Sequence, residues 1–149
     1  MSSGVRVIIQ KAGGVSAITT EPMQAPPPKE GEVRIKVAYA GINFADLLMR
    51  LGFYQPRPPF PFTPGYEVSG VVDALGKGVT GLEVGQKVVA AMRNGGQASF
   101  VLSHVDRVIS LPDGISLQAA ASTPVTYICL LYTSPSPRDL STSRMPSSA

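Results

Sequence analysis

The sequence predicts a mainly β fold, a barrel or a sandwich, with one short helix. Glycine and proline, 15 and 14 of the 149 residues, divide the chain into short apolar segments. Residues 32–40 alternate apolar and polar side chains with a period of two, as a strand does when one face meets a core. Residues 44–51 have the period of a helix. Many short strands separated by turn signals are typical of barrels and sandwiches.

The chain is expected to begin with a hairpin. Residues 5–10 have the composition of a strand, residues 11–14 are a turn signal, and residues 16–20 are expected to pair back onto the first strand. Four prolines lie between Pro22 and Gly31. Because proline lacks the N–H group that a sheet uses, this segment is expected to be an extended loop.

Glu32–Ala40 has the clearest strand pattern. Its alternation places Val33, Ile35, Val37 and Tyr39 on the core face and leaves the other face mostly in water.

Phe44–Leu51 is expected to be the helix. Its apolar side chains follow the i, i+3, i+4, i+7 spacing of one helix face, at Phe44, Leu47, Leu48 and Leu51. Asn43 stands at the N-cap position, Asp46 in the first turn and Gly52 at the end. The Pro-rich loop at 53–64 carries four aromatic residues.

The later strands are expected at 66–75, 87–92, 97–103 and 105–110, with glycine turns between them. Ser116 is positioned to cap a helix that begins at Leu117.

Composition excludes several function classes. The net charge is +3 and the thirteen Lys and Arg residues are scattered, which argues against nucleic-acid binding. The sequence has one cysteine, Cys129, and one histidine, His104, which cannot form an internal disulfide or a four-ligand zinc site. The sequence has no secretory signal and no apolar stretch of about 20 residues that would span a membrane. A cytoplasmic protein is therefore expected.

The chain divides near Ile128. Residues 1–128 are expected to be the folded domain. Residues 129–149 are rich in Ser and Pro without apolar periodicity, which is typical of disorder. From Leu130 the string also resembles translated sequencing-adapter read-through, so residues 129–149 are expected to be an artefactual tail.

Several motifs carry a family resemblance. The segment GYEVSG at 65–70, followed by Gly76 and Val79, resembles the signature of the medium-chain dehydrogenase/reductase superfamily. Five further segments are similar, in order and spacing, to its zinc-free quinone oxidoreductases, most of all to the branch that resembles the synaptic-vesicle amine-transport protein: GINFADL at 41–47, GFY at 52–54, PPFPFTPG at 58–65, GGQASFV at 95–101 and LPDGIS at 111–116. Gln86 stands where the family usually has Asp, which puts a turn hydrogen bond in doubt.

The resemblance implies a GroES-like β barrel over about residues 5–115 and a Rossmann domain that this chain lacks. It implies that NADPH is bound mainly by that missing domain, that a quinone or an α,β-unsaturated carbonyl is the substrate, and that the full-length parent is a homodimer. Asn43 and Tyr66 stand where zinc-dependent relatives have Cys and His. Because amide and phenol groups are poor zinc ligands, no metal is expected.

Without zinc, the negative charge that hydride transfer builds on the substrate oxygen needs other donors. Asn43 and Tyr54 are the candidate catalytic residues. Each has an alternative role, helix capping for Asn43 and aromatic packing for Tyr54. Asp46, Tyr66 and Glu67 are expected to line the substrate pocket or support it, Asp46 as a first-turn dipole partner, Tyr66 as filler and Glu67 through an ion pair.

The cofactor-binding residues are not expected in this chain. The glycines at 76, 78 and 81 match G-x-G-x-x-G, but they join a strand to a strand without the βαβ context that dinucleotide binding needs. His104 is expected to be a solvated loop residue. The chain alone is expected neither to bind NADPH tightly nor to turn over.

Two other functions compete with this one. A non-catalytic GroES-like binding module of the vesicle-protein branch is the main alternative. A zinc alcohol dehydrogenase domain is the other, and the loss of both ligand residues argues against it.

Overall fold

A computed structural model describes residues 2–127 of the chain. The strands are β1 Ser3–Ile9, β2 Ile18–Gln24, β3 Glu32–Ala40, β4 Glu67–Leu75, β5 Lys87–Ala91, β6 Phe100–His104 and β7 Val108–Ser110, and the helices are α1 Phe44–Leu51 and α2 Leu117–Ala120. Single 3-10 turns at Val15–Ala17 and Val105–Arg107 precede β2 and β7. Within this part of the chain, no helix has the length and hydropathy that a bilayer crossing requires.

The strands form one curled antiparallel sheet and a hairpin. Five strands pair in the order β6-β3-β4-β5-β7, and β1 pairs with β2. The hairpin joins the larger sheet through β1, where the Val7 N–H donates to the Gln97 carbonyl at 2.9 Å and the Ser99 N–H donates to the Val5 carbonyl at 2.8 Å. The expected mainly β fold, a curled half-barrel with a short helix at Phe44–Leu51, is confirmed.

The core fills the curl of the sheet and is built mostly of β-branched residues. Its buried members are Val33, Ile35, Val68, Val72, Val88, Ala90, Val101 and Val108. The alternation predicted for β3 holds at Val33 and Ile35, which are fully buried. It was wrong at Tyr39, which is 46% exposed. A register shift against β4 between Val37 and Tyr39 reverses the alternation there, and Ala40 packs against the core instead.

The prediction was wrong about where the second strand lies. Residues 15–17 form a 3-10 turn, and β2 continues through Pro22 to Gln24, in the segment predicted as loop. Pro22 lies opposite Val5 in the hairpin. Because β2 pairs only with β1, its other edge has no partner strand among the described residues, and an edge strand tolerates a residue without an N–H.

Two later boundaries also differ from the prediction. Residues 97–99 precede β6 and bond to β1 and β3, so the regular pairing of β6 with β3 begins only at Phe100. Residues 105–107 form a 3-10 turn because the chain must bend before β7 can pair with β5. The predicted cap of α2 is confirmed, since the Ser116 hydroxyl accepts the Ala119 N–H at 3.1 Å.

Candidate active site

Helix α1 has the predicted bounds but the opposite orientation. The face predicted to be buried is largely exposed, with Phe44 74%, Leu47 42% and Leu51 38% accessible. The buried side chains are Asp46 and Met49. The predicted burial of the apolar stripe was therefore wrong, and the helix turns a carboxylate and a thioether toward the barrel.

Asp46 fixes this orientation. One carboxylate oxygen accepts the N–H of Asn43, and the other accepts the N–H of Gly65, each at 2.9 Å. Gly65 has φ 109° and lies against the backbone of Gln97, where a side chain would collide. Burial raises the pKa of Asp46, although its two N–H donors act against that shift. The predicted position of Asp46 in the first turn of α1 is confirmed. The structure adds a hydrogen bond from the Gly65 N–H, which lies 19 residues further along the chain.

Asn43 occupies the predicted N-cap and carries a second contact. Its side-chain nitrogen donates to Glu67 Oε1 at 2.9 Å. The carboxylate fits there because residue 41 is glycine, and a Cβ on Gly41 would overlap the Glu67 carboxylate. The Asn43 amide is therefore held by a specific acceptor rather than directed freely into solvent.

Glu67 is buried, with only 2% of its surface exposed. Its second carboxylate oxygen accepts the N–H of Val125 at 2.9 Å. The ion pair predicted for Glu67 is not formed with any described residue, because an amide and a backbone N–H satisfy its two oxygens instead. Nothing in the sequence indicated Val125, which lies 58 residues away.

Tyr54 and Tyr66 form an aromatic pair next to this network. Their ring centroids are 6.5 Å apart in an edge arrangement, and both rings pack against the second core cluster of Ile9, Met49 and Phe62. The Tyr66 hydroxyl lies 3.6 Å from Met49 Sδ. Burial and the neighbouring Tyr54 hydroxyl raise the pKa of Tyr66 to about 12. The phenol is therefore a neutral donor at physiological pH.

The structure links three of the five predicted site residues by hydrogen bonds. Asn43, Asp46 and Glu67 share hydrogen bonds, and Tyr66 follows Gly65, which binds Asp46. Tyr54 packs edge-on against the Tyr66 ring. That Asn43 and Tyr54 face one substrate pocket stays a prediction.

A small hollow lies beside the network. Its volume is about 120 Å³, and its lining includes Ile42, Asp46 and Leu47. Most of the lining is apolar, but the volume is below the roughly 300–1,000 Å³ of ordinary small-ligand sites. Neither Asn43 nor Tyr54 is among the lining residues.

The two side chains that the sequence resemblance aligns with zinc ligands are engaged in other ways. The Asn43 amide nitrogen faces the Glu67 carboxylate, and the Tyr66 hydroxyl faces Met49. Among residues 2–127, no group of three His, Cys, Asp or Glu side chains is arranged to hold a metal ion. Amide nitrogen is not a metal donor in proteins, so the residues at these two positions do not fit zinc.

The remaining sequence candidates lie elsewhere. The glycine run at 76–81 connects β4 to β5, strand to strand, so it lacks the helix start that would bind a pyrophosphate. His104 ends β6, and its Nδ1 lies 3.0 Å from the Asp106 carboxylate with about half of the imidazole exposed. Cys129 and the predicted tail at 129–149 lie outside the described residues.

Known proteins share this architecture. Residues 29–113 match the family described as alcohol dehydrogenase GroES-like domain. The chain is 35% identical over 122 residues to the synaptic vesicle membrane protein VAT-1 homolog-like of Mus musculus, covering 82% of this chain and 29% of the mouse protein. The structure superposes on Escherichia coli quinone oxidoreductase complexed with NADPH with a TM-score of 0.81 and 30% identity, over 86% of this chain and 39% of that one.

A second solved structure carries a different substrate class in its name. CurK enoyl reductase superposes with a TM-score of 0.80 and 29% identity, over 87% of this chain and 41% of that chain. The present chain spans less than half the length of each of these three proteins.

Proposed function

The chain belongs to the family of alcohol dehydrogenase GroES-like domains, and from this membership we propose that it is the substrate-side domain of an NADPH-dependent oxidoreductase. The proposed reaction is zinc-free hydride transfer to a quinone or an α,β-unsaturated carbonyl. The similarity to a quinone oxidoreductase solved with NADPH and to an enoyl reductase supports both substrate classes.

The observation that carries the proposal is the Asn43–Glu67 contact, which adjoins Asp46, a residue that lines a mostly apolar hollow. In a zinc-dependent relative, the metal would polarise the substrate carbonyl. Here the two ligand positions hold an amide and a phenol, and the amide is oriented by a buried carboxylate. Glu67 takes one N–H of the Asn43 side chain, and the other N–H is not used by any described residue. A preorganised amide donor of this kind stabilises a developing oxyanion.

NADPH would supply the hydride, and residues 2–127 lack the glycine turn that would hold its pyrophosphate. The proposed contribution of this chain is therefore limited to the substrate. The Asn43 N–H and the Tyr54 hydroxyl donate to the substrate oxygen as charge builds on it.

A chimera tests the proposal. Residues 2–127 replace the matching part of E. coli quinone oxidoreductase, and NADPH oxidation is followed with quinones and with enones. We expect turnover that falls about 10²-fold on Asn43→Ala or Tyr54→Phe, the usual cost of removing an oxyanion donor. The KM for NADPH should change little, because the Rossmann domain holds the cofactor.

Tyr39→Phe is the matched control. It removes a hydroxyl from a half-exposed tyrosine on β3, outside the Asn43–Glu67 contact, and should leave turnover unchanged. A folded chimera without activity on either substrate class would contradict the proposal and favour a non-catalytic binding module. Equal losses in Tyr39→Phe and Tyr54→Phe would contradict the role of Tyr54.

A further inference from the structure

We propose that Glu67 is the positioning residue of the site: its buried carboxylate fixes which way the Asn43 amide points and ties that amide to the chain segment at 123–127. The catalytic consequence rests on the function proposed above. The geometric claim does not, and it is tested separately.

The orientation follows from the chemistry of the two groups. An ionised carboxylate only accepts hydrogen bonds, whereas an amide has a donor end and an acceptor end of nearly equal shape. Facing Glu67 Oε1 at 2.9 Å, Asn43 must therefore present its nitrogen. The reversed amide would place two acceptor oxygens against each other inside the protein, which is costly for buried groups. Glu67 thus determines which atom of Asn43 is left to face a substrate.

The same carboxylate also holds a distant part of the chain. Oε2 accepts the Val125 N–H at 2.9 Å, so one buried side chain bonds residues 24 positions before it and 58 positions after it. A second contact anchors the start of α2 to β4, where the Ser69 hydroxyl donates to the Leu117 carbonyl. Movement of the segment at 123–127 would therefore pull on the group that orients Asn43.

Two neighbours make this arrangement specific. Gly41 leaves the space that the carboxylate occupies, since a Cβ there would overlap it. Asp46 does not compete for the same donors, because the backbone N–H groups of Asn43 and Gly65 satisfy its two oxygens. Each of the four carboxylate oxygens has its own donor, and changing Glu67 alone should disturb only its two bonds.

Glu67→Gln provides the sharpest test because it keeps the size and removes the acceptor-only character. The backbone N–H of Val125 can only donate, so the new side chain must turn its oxygen to Val125 and its NH₂ group to Asn43. Asn43 should then reverse and present its carbonyl oxygen. NMR spectra of the isotope-labelled 149-residue chain are compared for the wild type, Glu67→Gln and Glu30→Gln. Glu30→Gln is the control, because it makes the same change at an exposed glutamate.

In the wild type, we expect nuclear Overhauser contacts between the Asn43 side-chain NH₂ protons and the side chain of Glu67. Glu67→Gln should abolish them while amide exchange at Val125 stays near the wild-type rate. Glu67→Ala should accelerate exchange at Val125 about tenfold or more, because it removes an acceptor that carries charge. Retained Asn43 contacts in Glu67→Gln, or unchanged exchange in Glu67→Ala, would overturn the proposal.

Kinetics in the chimera separate positioning from simple support of the fold. Glu67→Gln should lower kcat about tenfold or more and leave the KM for NADPH nearly unchanged. Adding Asn43→Asp keeps an acceptor for the new NH₂ group and removes the amide donor, so the double variant should keep the stability of Glu67→Gln without recovering kcat. Recovery of kcat would mean that Glu67 only supports the fold. If the chimera itself is inactive, the proposed function fails and the NMR result alone decides the role of Glu67.

Discussion

Replacing Met49 with alanine tests the orientation of α1 directly. The Met49 side chain is fully buried between Ile9 and Phe62, and its sulfur contacts the Tyr66 hydroxyl. Truncating a buried methionine usually costs about 2–5 kcal/mol, through lost transfer free energy and the cavity that remains. The middle of that range applies here, because the neighbouring aromatic rings and strand limit how far the site can close around the gap. We expect the free energy of unfolding to fall by about 3–4 kcal/mol.

Phe44→Ala is the matched comparison on the same helix. Sequence periodicity places Phe44 on the buried face, whereas the structure leaves it 74% exposed. Its removal should change the free energy of unfolding by about 0.5 kcal/mol or less, as for other surface substitutions. Urea unfolding followed by far-UV circular dichroism measures both variants. If Phe44→Ala destabilises the chain as much as Met49→Ala does, the reasoning about α1 is refuted.

Three further predictions concern the sheet and the titrating groups. Gly70→Ala should lower the free energy of unfolding by about 3 kcal/mol in urea, because the new Cβ would overlap the Lys36 carbonyl between β3 and β4. Gly14→Ala is the control and should cost little, because the space around Gly14 is open. Equal costs would contradict the close approach of Gly70 to the Lys36 carbonyl. Burial raises the pKa of Asp46, so its contribution to stability is present below the ordinary pKa of 3.8 and is lost as the pH rises through the pKa in the folded state. The free energy of unfolding that Asp46→Asn removes should therefore grow as the pH falls. A constant loss in urea unfolding between about pH 7 and pH 4 would argue against this prediction. The difference in phenolate absorbance between the wild type and Tyr66→Phe reports the titration of Tyr66, and its midpoint should lie at about pH 12. A midpoint near pH 10.0 would show that Tyr66 is solvated.

Local signals predicted much of the fold. The bounds of α1, the N-cap at Asn43 and the alternation of Val33 and Ile35 depend on neighbours within a few residues, and all three are confirmed. The strand limits at Pro22 and His104 were missed because they depend on pairing partners far along the chain. Proline argues against a strand in general, and only the position of β2 at a sheet edge makes Pro22 acceptable.

The candidate site shows the same division. Family motifs indicated Asn43, Asp46, Tyr66 and Glu67, and the structure joins these residues in one region. The sequence contained no sign that the Val125 N–H completes the bonding of Glu67, because a backbone donor is present at almost every position. An ion pair was expected for Glu67 because charged side chains can be identified from a sequence as candidate partners, whereas one particular backbone N–H cannot.

The reversed orientation of α1 follows from the requirements of the site. A helix that turned Leu47 and Leu51 toward the barrel would carry Asp46 away from Gly65 and break its contact with the loop before β4. The two hydrogen bonds of the Asp46 carboxylate therefore compete with the burial of the apolar stripe, and Met49 supplies enough apolar contact on the inner side for the polar anchor to prevail. The consequence is an apolar outer surface at Ile42 and Phe44, each 74% exposed, and Ile42 also lines the hollow that Asp46 lines. Exposed apolar surface next to a polar donor group is typical of a wall that another surface covers during binding. The relatives are more than twice as long as this chain, and the proposed function assigns that cover to the domain that would hold NADPH.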